Sequence, residues 1–299
     1  MSEFAYRTPA TDDLAAAAAV MAAEERDVLG ESSWGVDEMR DWWAWVNLEK
    51  SWIVESNGQP AAICLLMPRD SGRVMTWIAV DPRFAGRGLA TELLARGEEN
   101  AREVGGTIFS VGRLAKNTAA ERLFARLGLS EVRRYFQMHI DFDGEPDPPR
   151  WPAGMTVSTF RREDAHDFKA ALDEAFAEEW GHVDAPFDEW MEHRVNNPDM
   201  DHSLWFIARE GHTIAGVLRG EAPRHGGGFV GMLGVRKAWR KRGIGLALLQ
   251  HAFREFHRRG YPHASLGVDS ENPTGATRLY ERAGMRVVKE DVVHEKNLT

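Results

Sequence analysis

Val235-Arg-Lys-Ala-Trp-Arg-Lys-Arg-Gly-Ile-Gly245 joins two patterns of different period. Before it, Gly228-Phe-Val-Gly-Met-Leu-Gly-Val235 is apolar and β-branched enough for a buried strand. After it, Ile244, Leu248, Leu249, Ala252, Phe253 and Phe256 recur at three- and four-residue steps, one face of a helix. Arg240 to Gly245 therefore reads as a strand-to-helix turn, with glycines where side chains would obstruct a close ligand. The first N–H groups of a helix lack internal partners and sit at the positive end of its dipole, which suits a pyrophosphate. The turn is not a P-loop, since no Gly-Lys-Ser/Thr closes it. Nor is it a dinucleotide fingerprint, since Leu248 stands where the third glycine belongs. Alone, it reads equally well as a basic turn with glycines for tight packing.

Farther on, Val268-Asp-Ser-Glu-Asn-Pro-Thr-Gly-Ala-Thr-Arg-Leu-Tyr-Glu-Arg-Ala-Gly-Met285 places Asn272 at a helix start and Leu279-Tyr280 about two turns later. Gly284 ends that helix. Together the two stretches resemble the GNAT superfamily of acyl-CoA-dependent N-acetyltransferases. Its pattern is Arg/Gln-x-x-Gly-x-Gly/Ala after a central strand, then Asn…Ala…Leu-Tyr…Gly-Phe. Arg240, Gly243, Gly245, Asn272, Ala276, Leu279, Tyr280 and Gly284 follow it in order, with Met285 in place of Phe.

The resemblance implies acetyl-CoA as cofactor. The backbone of Leu233, Gly234 and Val235 on a splayed central strand would hold its acetyl carbonyl and pantetheine amides. Arg240, Lys241, Arg242, Gly243, Ile244 and Gly245 would hold its pyrophosphate, with Asn272 as a further contact. Tyr280 would protonate the departing sulfur. On the residues alone, Tyr280 is also a helix aromatic packed beside Leu279. Asn272 is also a cap, followed by Pro273 at the first helical position.

The pattern occurs twice. Val80-Asp-Pro-Arg-Phe-Ala-Gly-Arg-Gly-Leu-Ala90 aligns with Val235 to Gly245 without a gap, and Asn117 to Gly128 aligns with Asn272 to Gly284, one residue shorter. Trp52-Ile-Val-Glu-Ser-Asn-Gly matches Trp205-Phe-Ile-Ala-Arg-Glu-Gly ahead of each. Two lobes are expected, at 1–140 and 155–299. The Pro-, Gly- and carboxylate-rich stretch 141–154 is the expected linker. The copies differ where it matters: Ala85 takes the place of Arg240, and Phe124 that of Tyr280, keeping the packing without the proton. Gly86, Arg87, Gly88 and Ala90 still permit a phosphate-binding turn. The first lobe is therefore expected to be degenerate, able to hold acetyl-CoA without turning it over. A catalytic lobe paired with a degenerate one resembles tandem acetyltransferases of the mycothiol synthase type.

Within each lobe the order is an opening strand, helices, an antiparallel meander, the central helix, a further strand and helix, then closing strands. Helices are expected at Thr11 to Glu25, Trp34 to Leu48, Asp164 to Phe176, Asp188 to Val195 and Pro273 to Arg282. Closing strands are expected around Arg286 to Glu290 and Val292 to Glu295. The fold class is α/β (α+β), each lobe a mixed, mostly antiparallel sheet flanked by helices.

Across 299 residues the net charge of −9 argues against nucleic acid as a bulk partner. One cysteine, Cys64, sits in an apolar run and is read as core filler. The histidines lack metal-ligand spacing, and no nucleophile elbow is present. No apolar run reaches membrane-spanning length and no basic segment precedes the Ala-rich stretch. The expectation is a cytoplasmic protein without metal or membrane partner, a monomer whose lobes form a pseudo-dimer.

Phe229 stands about where related enzymes often carry an acid at the beginning of the central strand. Glu221, Asp269 and His225 are the nearest candidates for the amine-side base. Glu178, Glu179 and Trp180, in a loop that also carries His182 and Asp184, suit a small cationic amine: carboxylates steer it and the ring covers it. The expected activity is N-acetylation of a small amine by the second lobe. A non-catalytic acyl-CoA sensor and a protein N-acetyltransferase are the alternatives.

Overall fold

The computed structural model describes residues 3–43, 45–68, 72–180, 185–224 and 226–298. The chain forms two compact units, Met1–Tyr135 with Glu290–Thr299, and Phe136–Lys289. This differs from a division at 140 and 155: the C-terminal residues belong with the first unit, and 141–154 lies within the second.

The first unit contains β1 (Ala5–Arg7), α1 (Leu14–Leu29), α2 (Val36–Trp43), β2 (Trp52–Ser56), β3 (Gln59–Pro68), β4 (Arg73–Val80), α3 (Leu89–Glu103), β5 (Ile108–Leu114) and α4 (Thr118–Arg126). β6 (Ser130–Asp141) runs through the division. The second unit repeats the plan with β7 (Met155–Thr159), α5 (Ala165–Phe176), α6 (Phe187–Trp190), β8 (Trp205–Glu210), β9 (Thr213–Arg224), β10 (Gly227–Val235), α7 (Ile244–Arg258), β11 (His263–Asp269) and α8 (Ala276–Arg282). β12 (Arg286–Asn297) then crosses the division, so that its residues Asp291 to Asn297 pair antiparallel with β5.

In each unit consecutive strands pair antiparallel up to the central strand, which pairs parallel with the next one. Helices flank the strands of each unit, so the fold is the expected mixed, mostly antiparallel α/β arrangement. Among the described residues no helix is long and apolar enough to cross a membrane.

In the second unit the sheet sits between two apolar clusters. Leu218, Val230 and Leu266 meet Leu248, Phe253 and Phe256 of α7; Val217 and Ile207 meet Phe168 of α5 and Trp190 of α6. Along the regular part of β9, alternation thus assigns Val217 to the α5 face and Leu218 to the α7 face.

Three local expectations are corrected. α2 stops at Trp43, and Trp45 lies beyond it, 55% exposed. α8 begins at Ala276 with Gly275 as its N-cap, so Asn272 does not cap it. The closing segments form one strand, because Asp291 between them pairs with Leu114.

The two parallel pairs are built differently. β4 pairs with β5 from Arg73↔Ile108 to Trp77↔Gly112, and its pairing with β3 is unbroken. β10 has register shifts against β9 between Gly227 and Phe229 and between Val230 and Met232. It pairs with β11 only at Gly228↔Ala264 and Phe229↔Ser265. A bulge kinks the strand that carries it and re-aims the residues beyond the kink. Past Phe229, β10 therefore parts from β11, while β4 stays zipped to β5.

Candidate active site

The residues of the second-lobe pattern lie on β10, the turn into α7, the turn after β11, and α8. Leu233 and Val235 are half-buried along the freed edge, and Gly234 is buried against α5, where a β-carbon would lie 2.8 Å from Ala175 Cβ. On β11, Gly267 is exposed, and a β-carbon there would meet nothing within 4 Å. Ser265, the last β11 residue paired with β10, buries a hydroxyl with no hydrogen-bond partner among the described residues.

At the end of β10 the loop turns through Lys241 (φ 63°) and Gly243 (φ 90°), both left-handed, into α7. Only glycine takes the second angle without strain. The first bond of the α7 backbone ladder is Ala247 N–H to Gly243 O at 3.1 Å, so the N–H groups ahead of it are available to an anion. Gly245 packs closely on α8: a β-carbon would come 3.1 Å from the end of the Leu279 side chain.

Arg240 and Arg242 of the loop, and Lys237 ahead of it, are held in place. Arg240 donates through Nε to Val235 O (3.2 Å) and through Nη2 to Ala175 O (3.3 Å), joining the end of β10 to the end of α5. Lys237 Nζ lies 3.0 Å from Glu178, and Arg240 Nη1 lies 3.4 Å from the same carboxylate. Arg242 pairs with Glu210 at 2.5 Å. The Lys237 hydrogen bond and charge, then those of Arg240, hold the Glu178 carboxyl below its ordinary value. Glu178, expected at the acceptor site, thus takes part in the loop's ion pairs.

Tyr280 lies on α8, 7% exposed. Its hydroxyl has no hydrogen-bond partner among the described residues. Burial first, and then the charge of Glu179, raise it far above its ordinary value. Glu179 accepts a hydrogen bond from Asn272 Nδ2 at 3.0 Å. Asn272 Oδ1 accepts from Thr274 N at 2.9 Å and Thr274 Oγ1 at 2.5 Å, an Asx turn ahead of the helix. Trp180 is half-buried at the end of the same turn; Gly181 to Asp184, with His182, lie outside the described residues.

Of the three base candidates, His225 lies outside the described residues. Asp269 is 7% exposed and its carboxylate accepts from Glu271 N at 2.9 Å. Glu221 stands 3.0 Å from Arg219, and both face the bulge: a β-carbon on Gly231 would lie 2.5 Å from Glu221 Oε1 and 3.0 Å from Arg219 Nη2. With Val217 on the α5 face, alternation puts Arg219 and Glu221 there too. Arg219 has no motif in the sequence to mark it; only the pairing of β9 with the bulged strand exposes it as a partner of Glu221.

The first lobe keeps the loop but not the opening. Gly86 (φ 76°) and Gly88 (φ 86°) repeat the backbone of Lys241 and Gly243. Arg87 is ion-paired with Glu3, and Ala90 packs into the core behind α3. Trp77 lies against Gly112 so closely that a β-carbon there would fall 2.1 Å from the ring, and Trp77 is backed by Trp42 at 5.4 Å. Phe124 is 4% exposed under His294, ring centroids 5.3 Å apart. Arg113 Nε donates to His294 Nε2 at 3.0 Å; burial, then the Arg113 charge, lower the His294 pKa, consistent with a neutral ring accepting there. Cys64 is wholly buried, its thiol pushed up to about 12, which leaves it as core filler. Among the described residues no cluster fit for a metal occurs.

A model of the acetyltransferase (GNAT) family matches residues 19–129 and again 165–285. A GCN5-related N-acetyltransferase from Sphaerobacter thermophilus is 32% identical and superposes with a TM-score of 0.89, covering 100% of this chain and 96% of its own. A mycothiol acetyltransferase of Clavibacter michiganensis is 28% identical over 81% of this chain and 78% of its own length. A tandem GNAT protein from the clavulanic acid biosynthesis pathway shares the fold at 18% identity, with a TM-score of 0.71 over 99% of both chains. Matched once in each half, the chain belongs to the GNAT family as a tandem N-acetyltransferase.

Proposed function

We propose that the second lobe transfers an acetyl group from acetyl-CoA to the amine of a small molecule, and that the first lobe is a scaffold. The observation that carries this is the parting of β10 from β11 past Phe229, where Gly267 meets open space while Trp77 fills the matching place at Gly112 in the first lobe. The residues fit the cofactor: a left-handed glycine opens a helix N-terminus at Gly243, and the strand edge from Leu233 to Val235 is freed. Bound acetyl-CoA would supply an activated acetyl thioester.

The chain's own groups then divide the work. The loop N–H groups of α7 bind anionic oxygen. Tyr280 Oη, kept protonated by burial, is the acid for a departing sulfur. Glu221, at the bulge beside Arg219, is the group that takes a proton from the amine, and Trp180, in the turn after α5, is the aromatic candidate for covering it. The small acceptor is the reading retained from the mycothiol acetyltransferase relatives, whose name denotes a small-molecule product.

The test is to incubate the full chain with acetyl-CoA and a panel of amino sugars, aminoacyl metabolites and short peptides. Free thiol and acetylated product are then followed together. Acetylation of a small amine is expected; product from peptides alone, or coenzyme binding without product from any amine, would overturn the proposal.

A further inference from the structure

The hydrogen bond between Asn272 and Glu179 has a twin. Asn117 Nδ2 donates to Glu24 Oε1 at 3.0 Å, the same length as in the second lobe, and the two glutamates stand as far apart in the chain as the two asparagines. The bond therefore belongs to the repeated plan and is present where the tyrosine is not.

Its setting differs between lobes. In the second, Glu179 follows α5, whose end presses on Gly234 of β10, and Asn272 follows β11, its N–H bonded to Asp269 O at 3.1 Å. β10 and β11 have already parted here, so the bond links the helix covering one strand to the turn ending the other. An asparagine amide has one acceptor oxygen and two N–H donors. Asn272 Oδ1 is taken by Thr274 and one N–H by Glu179, which also fixes which way round the amide stands. The second N–H has no partner among the described residues. In the first lobe Asn117 Oδ1 caps α4 through Ala120 N at 3.0 Å, and the slot is closed by Trp77.

We propose that Glu179 is a positioning residue of the acyl-CoA slot: it clasps the opening between β10 and β11 and orients the Asn272 amide, whose second N–H then serves the thioester arm. The twin bond in the first lobe is a staple only. The proposal rests on reading the second lobe as the acetyl-CoA site.

Calorimetry on the full chain tests it, with acetyl-CoA and with ADP, which carries the pyrophosphate but no thioester arm. Glu179→Ala and Asn272→Ala should each weaken acetyl-CoA by about tenfold, and the double variant no further, since the two act as one unit. ADP affinity should be unchanged, and Glu179→Gln, whose Oε1 still accepts, should stay near wild type. Glu24→Ala should lower Tm without altering acetyl-CoA affinity.

Losses that add in the double variant, or that are equal for ADP, would overturn the clasp. So would unchanged acetyl-CoA affinity with a raised acceptor KM, which would make Glu179 an amine-binding group. Wild-type protein that binds no acetyl-CoA would instead overturn the functional reading and the clasp with it.

Discussion

A β-carbon on Gly112 would lie 2.1 Å from the Trp77 ring, whereas one on Gly267, its counterpart in the second lobe, would meet nothing within 4 Å. One glycine position thus serves opposite ends, a bed for an indole in one lobe and an open slot in the other. The full chain should bind one acetyl-CoA. Gly243→Asp should abolish binding, because the side chain is strained at φ 90° and its charge repels phosphate. Gly88→Asp should leave it intact. Calorimetric stoichiometry checks this; two molecules bound per chain, or loss only with Gly88→Asp, would assign the site to the wrong lobe.

Tyr280→Phe removes a proton donor and little volume. Acetyl-CoA affinity should stay nearly unchanged while kcat falls roughly ten- to a thousand-fold, the range for loss of a general acid. Phe124→Tyr should alter neither. Steady-state rates and binding measured side by side decide it, and wild-type turnover in Tyr280→Phe would remove the assignment.

Glu178 is bonded to Lys237 and Arg240, so its loss should be felt by the coenzyme and not by the amine. Glu178→Gln frees two cations beside the phosphate loop. Acetyl-CoA should bind roughly two- to fivefold tighter at low salt, with the gain fading as salt screens exposed charges. The acceptor KM should not move. A raised acceptor KM would restore the amine-binding role suggested by the sequence.

Glu24 in the first lobe gives a pH signature. Burial, partly offset by the Asn117 hydrogen bond and reinforced by Glu25, Asp27 and Asp291, pushes its carboxyl from 4.5 up to about 8. The folded chain then keeps a proton that the unfolded chain releases between those values. The Glu24 contribution to stability is full below about 4.5 and is lost as pH rises to about 8. Glu24→Gln, which mimics the protonated form, should match wild-type Tm at the acid end and exceed it increasingly toward pH 8. A Tm difference that stays constant across that window would contradict the shift.

The sequence carried the loop, the repeat and the meander because each is a local pattern: glycines at a turn, apolar residues at helical or alternating spacing. The features it did not carry depend on partners far away in the chain. Nothing in the run around Trp77 says that the ring will lie on Gly112, since that contact exists only once β4 and β5 pair. Asn117 and Asn272 look alike in sequence, yet Asn117 caps α4 directly. Asn272 is followed by Pro273 and an extra residue, so Gly275 takes over as cap and the asparagine forms an Asx turn. Asp291 looked like a break between two strands until β5 supplied its neighbour.

The bulge of β10 gives the last prediction. Glu221 and Arg219 occupy the space that a side chain on Gly231 would enter, with Glu221 Oε1 2.5 Å from the β-carbon position. The obstructing atoms are ends of flexible side chains, so Gly231→Ala should fold while pushing the carboxylate aside. If Glu221 takes the amine proton, Gly231→Ala and Glu221→Gln should both lower kcat/KM for the acceptor, by roughly ten- to a hundred-fold, with acetyl-CoA affinity preserved. The two changes should not add, because the first acts by displacing the group that the second neutralises. Raising the pH supplies more free amine to a variant without its base, so the Glu221→Gln deficit should shrink in alkaline buffer. Acceptor kinetics of the single and double variants across pH decide it: additive losses, or a deficit independent of pH, would place the proton acceptor elsewhere.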